Sequence, residues 1–186
     1  MTSVEDAGVR VSERQLLRAA RTGDRRAFGE LIRARVPATF RLAASVLGDA
    51  ADAVDATQNA FVAAWRELPR LQDLDRFDAW LQRILLNECR MQVRQAGNRR
   101  SIADDPEHLG ALVGTGPDSP RAEVLDLLDR AFDRLEPDDR IMLALYFLER
   151  RSLGEIAEAL RMPLATAKLR LHEAREALYV ALGTAE

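Results

Sequence analysis

The sequence predicts an all-α protein of two small helical domains joined by a flexible linker, with a helix-turn-helix in the second. Three observations carry that expectation. Apolar residues recur at steps of three and four through most of the chain. Ala, Leu, Arg and Glu abound while aromatic residues make up only 5% of the 186 residues, a balance that favours helix over strand. The periodic stretches stop once, between Ser101 and Pro120, in a run of Gly, Pro and Asp that has no period and reads as a linker. The expected boundaries are residues 1–100, an acidic linker over 101–120, and residues 121–186.

A composition of 47% hydrophobic and 31% charged residues is that of a globular chain. The single cysteine, Cys89, excludes an internal disulfide, and His108 and His172 lie too far apart to begin a metal site. No metal or cofactor is expected. The opening stretch MTSVEDAGVRVSERQ lacks the apolar core of an export signal, and no apolar run is long enough to span a bilayer, so a cytoplasmic location without membrane insertion is expected.

In chain order, a first helix is expected from about Ser12 to Thr22, ended by Gly23. Asp24 caps the next, whose apolar stripe of Phe28, Leu31, Ile32, Phe40, Ala43 and Leu47 is interrupted by Pro37, which predicts a kink or a split. After the turn at Gly48-Asp49, DAADAVDATQNAFVAAWREL reads as an amphipathic helix with Val54, Thr57, Phe61, Trp65 and Leu68 inward. Its other stripe is Asp52, Asp55, Asn59, Val62 and Arg66, with Gln58 beside it, a polar face with a small exposed apolar element. LPRLQDLDRF is a loop, and FDAWLQRILLNECRMQVRQ a helix with Phe77, Trp80 or Leu81, Ile84, Leu85 and Met91 inward. Arg83, Asn87, Arg90 and Arg94 then form one basic ridge, with Arg76 in the loop before it and Arg99 and Arg100 beyond. A ridge of this kind beside Trp80 suits single-stranded DNA, and equally suits a solvated arginine face.

Beyond the linker, Val124, Leu127, Leu128, Ala131 and Leu135 resume a helical stripe; Glu136-Pro137 breaks it and starts a helix bearing Ile141, Met142, Leu145 and Leu148. Ser152 and Glu155 have the spacing of a capping box. Ile156, Ala157 and Leu160 follow on one helix, and after Arg161-Met162-Pro163 the residues Leu164, Ala167, Leu171, Ala174 and Leu178 recur on a second. This is a helix-turn-helix pattern. Thr166, Lys168, Leu169, Arg170, His172 and Arg175 lie on or beside the outward side of its second helix, where they suit phosphates and base edges in a major groove. An ordinary solvated helical hairpin has the same spacing. The net charge of -3 matters because a self-sufficient DNA binder gains affinity from a basic excess; here positive charge must be local, or a larger partner must supply affinity.

DAVDATQNAFVAAWREL with FDAWLQRILLNECR resembles region two of bacterial RNA polymerase sigma factors, and LEPDDRIMLALYFLERRSLGEIAEALRMPLATAKLRLHEAREAL resembles their region four. Order, linker and length are similar to the extracytoplasmic-function group of the sigma-70 family. The resemblance spans about Asp24 to Leu182 without the linker. It implies that Asp52, Asp55, Gln58 and Asn59 face the clamp helices of core polymerase. It implies that the Leu71 to Arg76 loop and the Arg83-Asn87-Arg90 face, continued by Arg94, engage the melted minus-ten element, and that the second domain reads the minus-thirty-five element and meets the polymerase flap. The linker would thread toward the active-site and RNA-exit channels. Core polymerase, promoter DNA and an anti-sigma factor are the implied partners. Asn59 stands where the family commonly has an acid, Arg161 and Ala165 where it has glycines, Leu169 for a small polar residue and Glu173 for a base. Two other readings fit the residues: a free-standing helix-turn-helix regulator, and a sigma-like adaptor without DNA binding. No nucleophile-base pair or phosphate-cradling loop suggests an enzyme.

Overall fold

The structure, a computed structural model, describes residues 13–100 and 120–183; the side chains of 96–100, 120–123, 125 and 126 are not described. The linker expected at 101–120 therefore lies outside the described residues save for Pro120, which opens a helix, and the side chains of Arg99 and Arg100 lie outside them too.

No strand occurs among the described residues. A helix over 13–21 (α1) precedes Arg25–Leu47 (α2), Ala50–Glu67 (α3) and Phe77–Arg100 (α4); Pro120–Asp133 (α5), Pro137–Leu143 (α6), Leu153–Leu160 (α7) and Leu164–Gly183 (α8) follow. Two short 3₁₀ turns, Leu68–Arg70 and Leu74–Arg76, fill the expected loop before α4. Local chemistry accounts for the ends. Gly23 turns in the left-handed region, Asp24 accepts from the amides of Arg26 and Ala27, and Asp49 accepts from that of Asp52. Pro37 sits on the exposed side of α2, which continues through it as one element rather than two.

The helices form two groups. In the first, α3 packs between α2 and α4; in the second, α8 is the spine against which α5, α6 and α7 pack. The groups also touch, α4 meeting α6 and α7 while α2 meets the turn after α6.

The buried seam of α3 is made of small residues. Ala53, Ala56, Ala60 and Ala64 are wholly buried, so the helix lies close to its neighbours, with Leu68 closing the far end. Periodicity weighted toward bulky residues puts Val54 and Met91 in the core; both are instead on the surface, at 42% and 48% exposure. Trp80 is buried against Phe77, with ring centroids 5.7 Å apart, and Trp65 packs against Phe28 at 5.0 Å.

In the second group, Ile141, Met142 and Leu145 are buried as the spacing predicts, whereas Leu148 is 60% exposed. The cause is a π turn over Ala144–Leu148. Its wider i→i+5 winding moves Leu148 off the face that Leu145 occupies. Leu164, expected inward, is exposed at the very start of α8; Val124 and Leu128 are exposed on α5, which packs chiefly on α8. Arg140 is buried: it pairs with Asp133, donates to the carbonyls of Leu135 and Asp133, and lies 5.8 Å from the Phe132 ring.

Candidate nucleic-acid interface

The helix-turn-helix is built as its sequence requires. Ser152 donates its amide to Glu155 Oε2 at 2.8 Å and accepts the Glu155 amide at its own Oγ, a closed capping box; the Ser152 hydroxyl, 2.7 Å from Glu155 Oε2, and then the Ser152 amide hold the Glu155 carboxyl below its ordinary pKa. Between α7 and α8 the chain reverses in a Schellman motif: the Met162 amide donates to Ala157 at 2.9 Å and the Arg161 amide to Glu158 at 3.2 Å. Arg161 sits at φ 53, ψ 47, the left-handed conformation that glycine adopts without strain. Arg150, just before the capping box, has φ 52.

Ala167, Leu171, Ala174 and Ala181 face the core from α8. Thr166, Lys168, Leu169, Arg170, His172 and Arg175 are all exposed, as are Ala165 and Glu173. Three cations and a histidine thus stand on an outward helix side, with Leu169, 57% exposed, available for apolar contact such as a thymine methyl. Arg170 lies near Asp139; burial raises the Asp139 carboxyl and the Arg170 charge opposes the rise.

On the first group, Asp55, Gln58, Asn59 and Val62 are exposed along α3, and Asp52 is half-buried near its start. This is a polar, negatively charged face beside an exposed valine.

The α4 ridge exists, but it is not uniformly open. Arg76 ends the second 3₁₀ turn and pairs with Asp73 at 3.6 Å. Asn87 and Arg94 are exposed, while Arg83 and Arg90 are half-buried. Arg90 donates from Nη1 to Asn87 Oδ1 at 2.8 Å and pairs through Nε with Asp138 at the start of α6. Burial lowers the pKa of Arg83, and the Arg161 charge lowers it further. A cavity of about 360 Å³ lies beside Trp80 and Arg83, walled by Arg76 and the 67–73 turn on one side and by Glu158, Ala159 and Arg161 on the other.

Sequence reasoning did not anticipate Gln82, Asp138, Arg151 and Arg161 as neighbours of this ridge. Asp138 has one local sign, an acid in the first turn of a helix, but nothing local points it at α4.

The Sigma-70 region 2 family matches residues 31–99 and the Sigma-70, region 4 family residues 125–178. The RNA polymerase sigma-H factor of Pseudomonas aeruginosa is 29% identical over 180 residues, 91% of this chain and 93% of that protein. The ECF RNA polymerase sigma factor SigE of Mycolicibacterium smegmatis is 32% identical over 165 residues, 84% of this chain and 63% of that protein. Among solved structures, CnrH in complex with the cytosolic domain of CnrY superposes with a TM-score of 0.59 at 28% identity, covering 93% of this chain and 98% of that one. A region-two fold and a region-four helix-turn-helix in the family's order, with relatives of the same name along most of their length, make this chain a member of the sigma-70 family, an RNA polymerase sigma factor of the extracytoplasmic-function group.

Proposed function

We propose how the surfaces divide the work of promoter selection. Asp52, Asp55, Gln58 and Asn59 on α3 dock on core polymerase. Arg76, Arg83, Asn87, Arg90 and Arg94 hold the melted minus-ten strand, and Thr166, Lys168, Leu169, Arg170, His172 and Arg175 enter the major groove of the minus-thirty-five element. The observation that supports this division is which side chains stand outward at these positions on a chain of net charge -3: Asp55, Gln58 and Asn59 are exposed on α3, Asn87 and Arg94 on α4, and Lys168, Arg170 and Arg175 on α8. Counterion release then occurs locally, and the core enzyme supplies the remaining affinity.

In this reading the chain has no catalytic activity of its own and acts in the cytoplasm with polymerase. No helix among the described residues is long and apolar enough to cross a membrane. Residues 1–100 and 121–186 act as separate promoter-binding units tied by residues 101–120. An anti-sigma factor is the third partner, in line with the cytosolic domain that CnrH binds.

The test is transcription in vitro with core polymerase on a random promoter library. Initiation from a shared pair of elements, lost with Asn87→Ala at the minus-ten element and with Arg170→Ala at the minus-thirty-five element, is expected. Output independent of both substitutions in folded protein would count against the division. Limited proteolysis cutting first between Ser101 and Pro120 is expected of the two-unit organisation.

A further inference from the structure

The outward side of α8 carries its charges unevenly around the helix axis. Lys168 and Arg175 are seven residues apart and exposed, so they stand two turns apart along one edge. Leu169, 57% exposed, and Glu173 are four residues apart and share another exposed side. Arg170 and Glu173, three apart, lie toward α6, which packs on α8. That edge is acidic. Burial raises the Asp139 carboxyl, the Arg170 charge opposes the rise, and the charges of Asp138, Glu136 and Glu173 add to it. A phosphate strand laid along this edge meets like charge, whereas the Lys168 and Arg175 edge offers it two cations. With the backbone on that cationic edge, Leu169 and Glu173 are turned to the base edges.

We propose that Glu173 is a specificity-determining residue of the minus-thirty-five contact: its carboxylate accepts from the N4 amino group of a cytosine, so that this chain selects a C·G pair, in one orientation, at one position of that element. The choice of base follows from the donor and acceptor pattern of the groove. An ionised carboxylate only accepts. Guanine presents two acceptors, O6 and N7, and thymine an acceptor and a methyl group, so both repel it or leave it unpaired; adenine sets its amino donor beside the acceptor N7. Cytosine presents a donor with no acceptor beside it on its own edge. A carboxylate brought into the groove without a donor keeps its full desolvation cost, which sharpens rejection of the other bases.

The inference rests on the reading of α8 as the minus-thirty-five helix, and the experiment separates the two. Full-length wild type, Glu173→Ala, Glu173→Arg, Lys168→Ala and Arg170→Ala, each with core polymerase, transcribe a library randomised in the minus-thirty-five element alone, and transcripts are counted by template sequence. Wild type is expected to favour one orientation of a C·G pair at one position by roughly fivefold or more, the low end of what a base-reading side chain discriminates. Glu173→Ala is expected to level that position and no other. Glu173→Arg is expected to favour guanine on the strand where wild type takes cytosine, because a guanidinium pairs with O6 and N7. Circular dichroism checks folding, and the wild-type profile with the alanine variant carries the test should the arginine variant not fold. A wild-type profile without such a position overturns the inference, as does a Glu173→Ala profile altered at several positions at once, the mark of a displaced helix. If Glu173→Ala raises output on every sequence alike while Lys168→Ala or Arg170→Ala weakens use of the element, Glu173 only repels the backbone: the inference is wrong and the α8 reading stands. If no α8 variant changes use of the element, the α8 reading is wrong and the inference falls with it.

Discussion

Arg161 offers the sharpest test of how the helix-turn-helix is held. Its backbone, at φ 53 and ψ 47, closes the Schellman motif between α7 and α8, and its Cβ meets the steric penalty that left-handed geometry imposes on any side chain. That penalty is about 1–2 kcal/mol. Arg161→Gly removes it but gives the unfolded chain more freedom, which offsets about 0.4–1 kcal/mol. The net expectation is a gain of about 0.5–1 kcal/mol, and loss of the charge beside Arg83 acts in the same direction. For a cooperative unit of this size, about 2–4 °C in Tm accompanies each kcal/mol. Urea denaturation followed by circular dichroism, with Arg161→Ala in parallel, isolates the backbone contribution. Alanine loses the charge yet keeps the Cβ, so it should fall below glycine by most of the predicted gain. A glycine variant less stable than wild type, or equal to the alanine variant, would refute the claim that backbone strain at this turn is what the arginine costs.

Other consequences are equally direct. Asp55→Arg, on the exposed side of α3, should weaken association with core polymerase measurably in interferometry while changing stability by no more than about 0.5 kcal/mol; unchanged binding would move the docking surface elsewhere. Lys168→Ala or Arg170→Ala should cost roughly 1–3 kcal/mol on promoters with a good minus-thirty-five element if either reads a base, and an equal loss on every sequence would identify a phosphate contact. Cys89 is wholly buried and its thiol is pushed up to about 12 by burial, so native protein should resist thiol reagents at neutral pH. The unfolded thiol ionises near pH 8.5, so above that pH the unfolded state holds fewer protons and stability falls with rising pH. Between neutrality and pH 10 wild type should lose about 2 kcal/mol more than Cys89→Ala in urea titrations; parallel pH profiles would show that the thiol is not so protected.

How much of this was legible beforehand depends on whether the determinant was local. The capping box at Ser152 and Glu155 is a contact between residues three apart, and the outward side of α8 follows from an uninterrupted helical period, so both were readable. The α3 seam was not, because bulk stood in for burial: Val54 is larger than Ala53 or Ala56, but the alanines permit close approach and the valine does not. Leu148 follows from a π turn that has no local signature in ALYFL. The ridge on α4 could be listed residue by residue from spacing, yet its cover could not, since Asp138 reaches Arg90 from 48 positions away across the linker. Arginine at a left-handed position was visible only as a departure from the family's turn glycine, not as a backbone conformation.

The alanine seam sets the terms on which α3 can change. Four fully enclosed methyl groups leave the helix no slack toward α2 or α4, so enlarging Ala53, Ala56, Ala60 or Ala64 by even one carbon would lift the whole rod outward. Asp55, Gln58 and Asn59, exposed on its outer side, bear no such restriction. Mutational tolerance along α3 should therefore alternate sharply with helical phase, near zero on one side and nearly free on the other. The docking surface is a replaceable veneer on an immovable rail, which lets a chain of this fold retune its grip on a partner without renegotiating its own architecture.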